Sequence, residues 1–591
     1  AAPLLRFNID RYRSTAFLTR RRGETMKRRT FLSALAGAAA VELIPGRAEA
    51  AVILGNKVAV LGGGVGGMSA AHELVERGFK VTVYERQAIP GGKARSVDYP
   101  GSGTGGRRNL PGEHGFRFFP GFYKHVTDTM KRIPYGNRSV FHNLVEASGL
   151  SMSLANNEPD ISVPLASFPI GLDDVIAGIQ TLFGPLPQLT TQEILHFGRR
   201  MLQFMTSCDA RRWGEYENLS WWEFVNADDF SDNYKKFLAV GLTRNLVAAR
   251  AEEVNARTVG LIVTQLIASG EPLDRLLNGP TNDVWINPWL SYLQSKGVTY
   301  NTNCMVEGIN MSSGRISSVS VRVNGALQNV VADHYVFALP VERLLPLLNP
   351  GVMSAAPKLA DLYQLSTSWM NGIQLYLDRD VPVVPGHTIF LDSPWALTSI
   401  SQAQFWPNFN LANFGNGNVR GILSIDISNF DEPGILYGLP AKQCTKQQIY
   451  DEVVAQVTLS LNHSGNLVLD PSWIVDWFLD PSLEFGPTGG PTNQEALLIN
   501  TAGSWKYRPK ATTQIPNMYL ASDYVQSNVD LATMEGANEA ARDATNAILD
   551  RSLRVFTPRC QRWQLKEPVL FAPGKASDQL RWNLGLPHSL A

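Results

Sequence analysis

The alternation of apolar and polar residues is most regular between residues 57 and 86. An apolar run at 58–61 predicts a buried strand, and residues 68–77 repeat their apolar positions with the period of a helix. Gly78 ends that helix, and a second apolar run follows and closes on Glu85. The stretch therefore predicts a strand, a helix and a second strand, which is the unit from which parallel sheets are built.

The turn between the first strand and the helix is a glycine-rich loop, residues 62–67. Gly62 permits the tight turn, Gly64 lets the backbone approach a pyrophosphate, and Gly67 lets helix and strand pack closely. The helix N-terminus presents N–H groups and the positive end of its dipole to phosphate oxygens. Glu85, 18 residues beyond Gly67, is placed to bind a ribose 2′-OH and would repel a 2′-phosphate. The loop predicts a dinucleotide site that disfavours NADP.

Two further segments indicate which dinucleotide binds. Residues 89–95 read Ile-Pro-Gly-Gly-Lys-Ala-Arg and follow directly after the ribose-binding acid. Near the C-terminus, an apolar run at 518–520 leads into Ser522-Asp523, and Met534 then opens a helix. Together with the glycine loop, these segments resemble the FAD-binding amine oxidase and phytoene desaturase superfamily.

The resemblance implies FAD and assigns a role to each segment. In that superfamily the paired glycines, here Gly91 and Gly92, approach the flavin side of the cofactor. The late aspartate, Asp523, contacts the pyrophosphate–ribityl region, and the helix that opens at Met534 points its N-terminus at the flavin ring. Ser522 stands where the family usually has glycine.

The resemblance narrows to the plant- and cyanobacterial-type carotene desaturases. It rests on residues 112–122 (GEHGFRFFPGF), on 274–310 and 333–345, and on the sheet-like alternation at 369–406. It runs from about residue 57 to residue 550 and is loosest over 151–270. The implied fold class is α/β, with a Rossmann-like FAD-binding domain and an interleaved α+β substrate domain.

The domain organisation follows from these segments. The FAD-binding domain is predicted to comprise 51–150, 272–350 and 501–553, and the substrate domain, an antiparallel sheet with a helical cap, 151–271 and 351–500. Residues 554–591 form a C-terminal extension with no periodicity, to which no role is assigned.

The predicted cofactor-binding residues come from all three motifs. They are Gly62, Gly64, Val65, Gly66, Gly67, Glu85, Arg86, Gly91, Gly92, Lys93, Arg95, Val306, Asp523, Met534 and Ala537. No cysteine lies in the late motif, where some amine oxidases attach flavin covalently, so the FAD is predicted to be non-covalent.

The chemistry that the resemblance implies is hydride removal by the flavin, with the protein supplying position and a dry pocket. The carotene-desaturase pattern usually has His at the position of Arg117; here His114 precedes Gly115 instead. Arg117 is a candidate to hold the charge of reduced flavin or a substrate carboxylate, because arginine is no base at neutral pH. His114 is a candidate acid or base, with a purely structural role as the alternative. Phe116, Phe118 and Phe119 are expected to form pocket wall.

The predicted function is therefore an FAD-dependent oxidoreductase that removes hydride from C–H bonds of a largely apolar isoprenoid or lipid substrate. Quinone and O₂ are both open as electron acceptors. A flavin amine or amino-acid oxidase is the rival, but its lysine is expected near residues 366–377, and no lysine lies between Lys358 and Lys442. An FAD-holding protein without catalysis is a second rival, since a fold alone does not prove chemistry.

Composition and cysteine spacing argue against nucleic-acid binding and against a metal site. Lys+Arg and Asp+Glu both number 53, so no net positive field would recruit nucleic acid. The four cysteines are far apart and show no ligand spacing with histidine, so no metal site is predicted.

The N-terminal region predicts an export signal. Arg28-Arg29 lies in a twin-arginine pattern, a short apolar region follows at 31–41, and Ala48-Glu49-Ala50 fits a signal-peptidase site. Residues 26–50 are thus a predicted twin-arginine signal peptide, and 1–25 an unassigned upstream leader. The mature protein would be periplasmic or otherwise extracytoplasmic. Residues 161–190 are apolar and interrupted by proline, which suits either peripheral membrane contact or a buried segment.

Overall fold

The computed structural model describes residues 53–155, 161–164, 189–268, 274–462, 466–487 and 489–591. The predicted leader and signal peptide, and most of the apolar segment 161–190, lie outside these residues.

A five-stranded parallel sheet forms the first layer. Its strands lie in the order Thr299–Asn301, Lys80–Tyr84, Lys57–Leu61, His334–Phe337 and Met518–Leu520. The two central strands are almost fully buried because helices cover the sheet, as their continuous apolar runs require. Helix Val65–Val75 and the last long helix of this layer, Met534–Arg551, pack together through a hydrogen bond from Asn538 Nδ2 to Ser69 Oγ (2.8 Å).

The strand–helix–strand prediction is confirmed, but the helix begins three residues earlier than expected. The sequence pattern placed its start at Met68, whereas the helix already begins at Val65. Gly66 and Gly67 carry no apolar period, yet they belong to the first turn because backbone packs directly against both.

A seven-stranded sheet forms the second layer. The strand order is Ile474–Leu479, Asn371–Leu377, Gly421–Ile427, Thr398–Ser401, Gly386–Phe390, Gly149–Ser153 and Ile161–Pro164. All pairs are antiparallel except that between Gly386–Phe390 and Gly149–Ser153. Helix Lys446–Leu461 covers one face through Ile449, Val453 and Val457. The opposite face is left for the cavity described below.

The helices between residues 191 and 268 form a cap with an aromatic core. Their bounds are Thr191–Thr206, Asp209–Arg211, Trp221–Phe224, Asp232–Tyr234, Gly241–Val247 and Ala256–Ala268, with π-helical turns at Arg212–Tyr216 and Lys235–Val240. Capping boxes start two of them, with Thr190 and Glu193 at one and Ser220 and Glu223 at the other.

Shorter elements complete the described chain. The remaining strands are Ser96–Asp98 with Pro111–Glu113, Pro134–Tyr135 with Arg138–Ser139, Leu144–Glu146 with Arg275–Leu277, Ser366–Ser368 with Leu497–Ile499, Leu483–Phe485 with Pro491–Asn493, and the ribbon Cys304–Ser312, Arg315–Val323 and Ala326–Val330. The remaining α-helices are His125–Arg132, Asn287–Ser295 (preceded by a π-helical turn, Asn282–Ile286), Val341–Leu344, Pro350–Ala355 and Ala572–Asn583.

The C-terminal extension, which received no role from its sequence, is part of the cap. Helix Ala572–Asn583 places Asp578 against the buried Arg211, with Arg211 Nε 2.9 Å from Asp578 Oδ1. Asp578 also accepts a hydrogen bond from Cys208 N (2.9 Å), and Phe571 lies in the aromatic core of the cap.

The predicted α/β class, with a Rossmann-like sheet and an interleaved α+β part, is confirmed. Strand Gly149–Ser153, which straddles the predicted boundary at residue 150, pairs within the seven-stranded sheet. The division into domains otherwise stays a prediction. Across the described ranges, no helix combines the length and the apolar character that crossing a bilayer requires.

The buried pair of Asp578 and Arg211 generates a stability prediction. We expect Asp578→Ala to lower the free energy of unfolding by about 3 kcal/mol, because a buried guanidinium would lose its carboxylate. The matched control is Asp209→Ala, since the Asp209 side chain is 83% exposed. Urea denaturation of both variants measures the difference; equal midpoints would show that the extension is not anchored by this pair.

Candidate functional site

One large cavity, of about 680 Å³, is lined by loops of the parallel sheet, by the seven-stranded sheet and by the helical cap. Thirteen of the fifteen predicted cofactor-binding residues line it: Gly62, Gly64, Val65, Gly66, Glu85, Arg86, Gly91, Gly92, Lys93, Val306, Asp523, Met534 and Ala537. Residues that are far apart in sequence therefore meet at one site.

The glycine loop is held by close backbone contacts. Gly62 has a φ of +101°, a conformation that favours glycine. A Cβ on Gly67 would lie 1.9 Å from Gly62 O, and one on Gly66 would lie 2.0 Å from the carbonyl oxygen of Ala521. No side chain caps the helix that follows Gly64, so its N-terminus faces the cavity as a site for phosphate.

The second glycine pair lies against the first loop. Gly91 and Gly92 both have positive φ, and Gly91 forms an isolated bridge with Gly64. A Cβ on Gly92 would lie only 2.8 Å from Gly64 Cα. The two loops together leave room for a ligand only because neither carries side chains at the contact.

Glu85 stands at the end of the second strand, as predicted, and is buried. Its carboxylate accepts hydrogen bonds from Gly63 N (2.7 Å) and Gln87 N (2.8 Å). Burial raises the pKa of Glu85, against the opposing effect of these N–H groups and of Arg86. Val306 lies beside it in the cavity lining. Glu85 thus both fixes the glycine loop and presents an acceptor to the cavity.

The late motif closes the cofactor side. Ala521, Ser522 and Asp523 line the cavity directly after the last parallel strand. Ser522 does not have a positive φ, so replacing the usual glycine brings no backbone strain. Thr533 caps helix Met534–Arg551 by accepting a hydrogen bond from Gly536 N (3.1 Å), and Met534 lines the cavity.

Two predicted cofactor residues do not line the cavity. Gly67 acts only in packing, which is the role that its spacing predicted. Arg95 is turned away: its Nη1 donates to Gly92 O (2.7 Å) and to both oxygens of Glu495 (2.9 and 3.0 Å). Its prediction as a direct cofactor ligand is therefore corrected to support of the glycine pair, because a buried carboxylate already engages its guanidinium.

His114 lines the cavity and is held by a buried acid. Its Nδ1 lies 2.6 Å from Asp480 Oδ2, and Asn371 and Ser482 donate to the same carboxylate. Burial alone would raise the pKa of Asp480, but His114 and these hydrogen bonds lower it to about 2. Asp480 therefore stays ionised and fixes the imidazole ring of His114.

Arg117 also lines the cavity and lies near carboxyl groups. Its Nη2 donates to Lys93 O (2.9 Å) and lies 3.8 Å from Glu113 Oε2. Burial lowers the pKa of Arg117, while Glu113 and Asp426 oppose this shift. Within the described chain, its Nε has no hydrogen-bond partner. The guanidinium therefore places a positive charge at the cavity wall.

Sequence reasoning missed three titratable side chains on the substrate side: Asp426, His387 and Asp274. His387 and Asp274 form an ion pair. The rings of Phe116 and Phe118 lie 5.0 and 5.1 Å from the His387 ring, which places these two phenylalanines in the pocket wall as expected. The only signal in the sequence was a lone titratable residue within an apolar strand, for Asp426 and His387, and directly before a strand for Asp274.

Other aromatic candidates lie elsewhere. Phe119, expected in the pocket wall, is fully buried against Trp285 instead. Trp505, Tyr507 and Tyr524, the aromatic residues on either side of the last parallel strand, are not among the cavity-lining residues. The described ranges contain no cluster of three or more His, Cys, Asp or Glu arranged to bind a metal ion.

Beyond these groups the cavity continues into an apolar wing. It is lined by side chains of the seven-stranded sheet and of the cap: Leu150, Met152, Ile389, Phe237, Leu242 and Val263. Lys93, on the cofactor side, is the one lysine that lines the cavity in the part of the chain that the structure describes. The wing is therefore lined by apolar side chains, and the lysine of the cavity lies on the cofactor side instead.

These features fit a dinucleotide with a flavin. The cavity has two helix N-termini for phosphate and ring oxygens, a buried acceptor for ribose, and glycine contacts that side chains would fill. The apolar wing then leaves space for a second molecule.

Comparison with known proteins agrees with this reading. Residues 65–549 match the family described as flavin-containing amine oxidoreductase. The chain is 22% identical to 15-cis-phytoene desaturase of Synechococcus elongatus over 515 residues (84% of this chain, 96% of that protein) and 23% identical to zeta-carotene desaturase of Synechocystis over 530 residues (85% and 99%). Wild-type putrescine oxidase shares the fold, with a TM-score of 0.56 at 12% identity (84% of this chain, 99% of that one). The predicted cofactor FAD and the oxidoreductase class are confirmed. The chain belongs to the flavin-containing amine oxidoreductase family.

Proposed function

We propose that this FAD-dependent oxidoreductase dehydrogenates a largely apolar chain, an isoprenoid or a related lipid, at carbon. The apolar wing is the observation that carries the proposal, because it adjoins the cofactor side and consists of aliphatic and aromatic side chains. The phytoene and zeta-carotene desaturases to which the chain is similar support the same class of substrate.

The residues proposed to hold FAD are those on the cofactor side of the cavity. Glu85 would accept from the adenosine ribose, while Gly64 and Val65 offer the first helix N-terminus to the pyrophosphate. Asp523 and Met534 lie on the flavin side. When bound, FAD supplies a two-electron acceptor for hydride. The FAD is proposed to be non-covalent.

Arg117 and the wing would position the substrate. The wing excludes water and orients the chain, which lowers the barrier to C–H cleavage without a strong nucleophile. Arg117 lines the cavity, and its positive charge would stabilise developing negative charge or a polar end group. His114, fixed by Asp480, would hold a hydrogen bond at the same end of the cavity.

Amine oxidation is the competing function. Carboxyl groups on the cavity wall, Asp274 and Asp426 among them, would attract an ammonium group, and putrescine oxidase shares the fold. Against it stand the apolar wing and the position of Lys93, which pairs with Glu342 (3.5 Å) on the cofactor side. The substrate comparison below separates the two functions.

We also propose export by the twin-arginine route, with peripheral membrane contact and quinone or O₂ as the electron acceptor. Support for export comes from Arg28-Arg29 and from Ala48-Glu49-Ala50. A route that carries folded proteins suits an enzyme whose cofactor is enclosed before export. Membrane contact rests on the apolar composition of residues 161–190.

The first prediction from the proposed function concerns the affinity for FAD. Glu85→Ala should weaken FAD binding by ~1–3 kcal/mol, because the ribose and two backbone N–H groups lose a charged acceptor. Reconstitution of apoprotein, followed by quenching of flavin fluorescence, measures the affinity. Lys80→Ala is the control, since Lys80 is exposed at the other end of the same strand. Equal affinities for both variants would contradict the role of Glu85.

The second prediction concerns substrate class. Under anaerobic stopped flow, phytoene, zeta-carotene or oleate should bleach the flavin, whereas putrescine, benzylamine and free amino acids should not. The reason is that an apolar wing binds a hydrocarbon chain and penalises an unpaired ammonium group. Rapid reduction by an amine, with none by any lipid, would establish the amine-oxidase function instead.

The third prediction concerns export. Replacing Arg28 and Arg29 by lysine should leave an unprocessed, FAD-loaded protein in the cytoplasm, because the transport signal is lost while folding is not. The same change at Arg21 and Arg22, outside the signal pattern, serves as the control. Immunoblots of cell fractions report processing, and normal export of the first variant would rule the signal out.

A further inference from the structure

The wall of the cavity formed by the seven-stranded sheet has one ionisable group in an otherwise uncharged row. Asp426 pairs with Thr398, Thr398 with Ile389, and Ile389 with Met152 on four adjacent strands. All four side chains line the cavity. Asp426 is therefore the charged member of a row that otherwise offers a hydroxyl and two apolar side chains to a bound molecule.

Backbone contacts fix the position of Asp426. Its Oδ1 accepts a hydrogen bond from Phe116 N (3.3 Å), and a Cβ on Gly115 would lie 2.7 Å from the same oxygen. A Cβ on Gly372, on the next strand, would lie 2.9 Å from Gly115 Cα. The segment around Gly115 thus lies directly on the sheet, and the carboxyl group is placed by backbone rather than by a flexible side chain.

Three side chains from two elements act on the charge of Asp426. Arg117 and His114 belong to the segment that lies on the sheet, and His387 comes from strand Gly386–Phe390. Arg117 also faces Glu113, which is buried and accepts hydrogen bonds from Thr281 N (3.1 Å) and Oγ1 (3.0 Å). The guanidinium of Arg117 therefore interacts electrostatically with two buried carboxyl groups, those of Asp426 and Glu113.

The electrostatic consequence is a retained proton. Burial raises the pKa of Asp426 to about 7, with Arg117 and His114 opposing, and burial likewise raises the pKa of Glu113 to about 7. Burial therefore outweighs the nearby positive charges at both acids, and the guanidinium of Arg117 acts on both of them. Of these two acids only Asp426 lines the cavity, so only Asp426 can exchange its proton with a bound molecule there.

We propose that Asp426 is the proton acceptor of the dehydrogenation. One C–H bond of the substrate loses its hydrogen as hydride, whose two electrons reduce the flavin. The adjacent C–H bond breaks, its electron pair forms the new C=C bond, and its proton goes to the Asp426 carboxylate. The proton then leaves to solvent while the flavin is reoxidised by the external acceptor. This step rests on the proposed function at carbon.

The pH dependence follows from the acceptor role. The carboxylate form must be present, so flavin reduction should be slow below the pKa of Asp426, rise through about pH 7 and level off above it. Asp426→Asn should reduce the rate at least ~100-fold and abolish the rise, because an amide accepts no proton. Asp426→Glu should restore part of both.

The test uses the full-length, FAD-loaded protein in two measurements. Infrared titration without substrate should show C=O bands of protonated carboxyl groups that disappear near pH 7; the contribution of Asp426 should be missing in Asp426→Asn and retained in Glu113→Gln. Stopped-flow reduction by phytoene then gives the rate and its pH profile. Asp431→Asn is the folding control, because Asp431 follows the same strand but pairs with Lys442 outside the cavity.

The outcomes are distinct. Unchanged infrared titration in Asp426→Asn, or reduction of that variant within about threefold of wild type with the pH rise intact, would overturn the assignment. Failure of the proposed function looks different: phytoene and zeta-carotene would leave the wild-type flavin oxidised while putrescine reduces it, and the carbon–carbon step would fall with it. Loss of FAD from Asp426→Asn alone would assign the residue to cofactor retention instead and equally overturn the acceptor role.

Discussion

The structure depends on close contact between the glycine loop at residues 62–67 and residue 521, which directly follows the last parallel strand. Gly66 lies so near the carbonyl oxygen of Ala521 that a Cβ would be 2.0 Å away. This contact brings the first and last parts of the described chain into one parallel sheet, where His334–Phe337 joins Lys57–Leu61 to Met518–Leu520. Because the carboxyl ends of parallel strands share an edge, the loops that follow them converge. The cofactor side of the cavity is a consequence of that convergence.

The polar groups around the cavity divide by the partners they have. Asp480 and Glu495 are stabilised as anions by His114 and Arg95, and the pKa of each is lowered although burial alone would raise it. Asp426 and Glu113 both face Arg117, and burial raises the pKa of each carboxyl group to about 7. Carboxyl groups around the same cavity are therefore ionised in one place and able to bind a proton near pH 7 in another. The difference depends on the positive charges near each group.

Sequence patterns predicted the parts that local chemistry determines. The glycine loop, Glu85 and the strand–helix–strand unit follow from residues within one short stretch, where turn geometry and apolar period leave few alternatives. The start of the helix was misplaced at Met68, because Gly66 and Gly67 carry no period and are helical only through tertiary contact.

What the sequence could not predict depends on partners far away along the chain. Arg95 looked like a cofactor ligand because Glu495, 400 residues later, is invisible from its surroundings. Asp426 was not predicted, because the backbone N–H of Phe116 that binds its carboxyl group lies 310 residues earlier in the sequence. The extension after residue 553 has no period, and its place follows from contacts with the cap, such as that between Asp578 and Arg211.

Gly372 has a consequence for how this enzyme could change over evolution. Because its missing side chain lets Gly115 lie on the sheet, the wall that contains Asp426 is fixed by two backbones in contact. The facing wall comes from cap helices, where Phe237, Leu242 and Val263 meet the cavity with side chains alone. Substitutions there would reshape the space without moving the titrating carboxyl. New substrates could thus arise on one wall while the chemistry is inherited unchanged on the other.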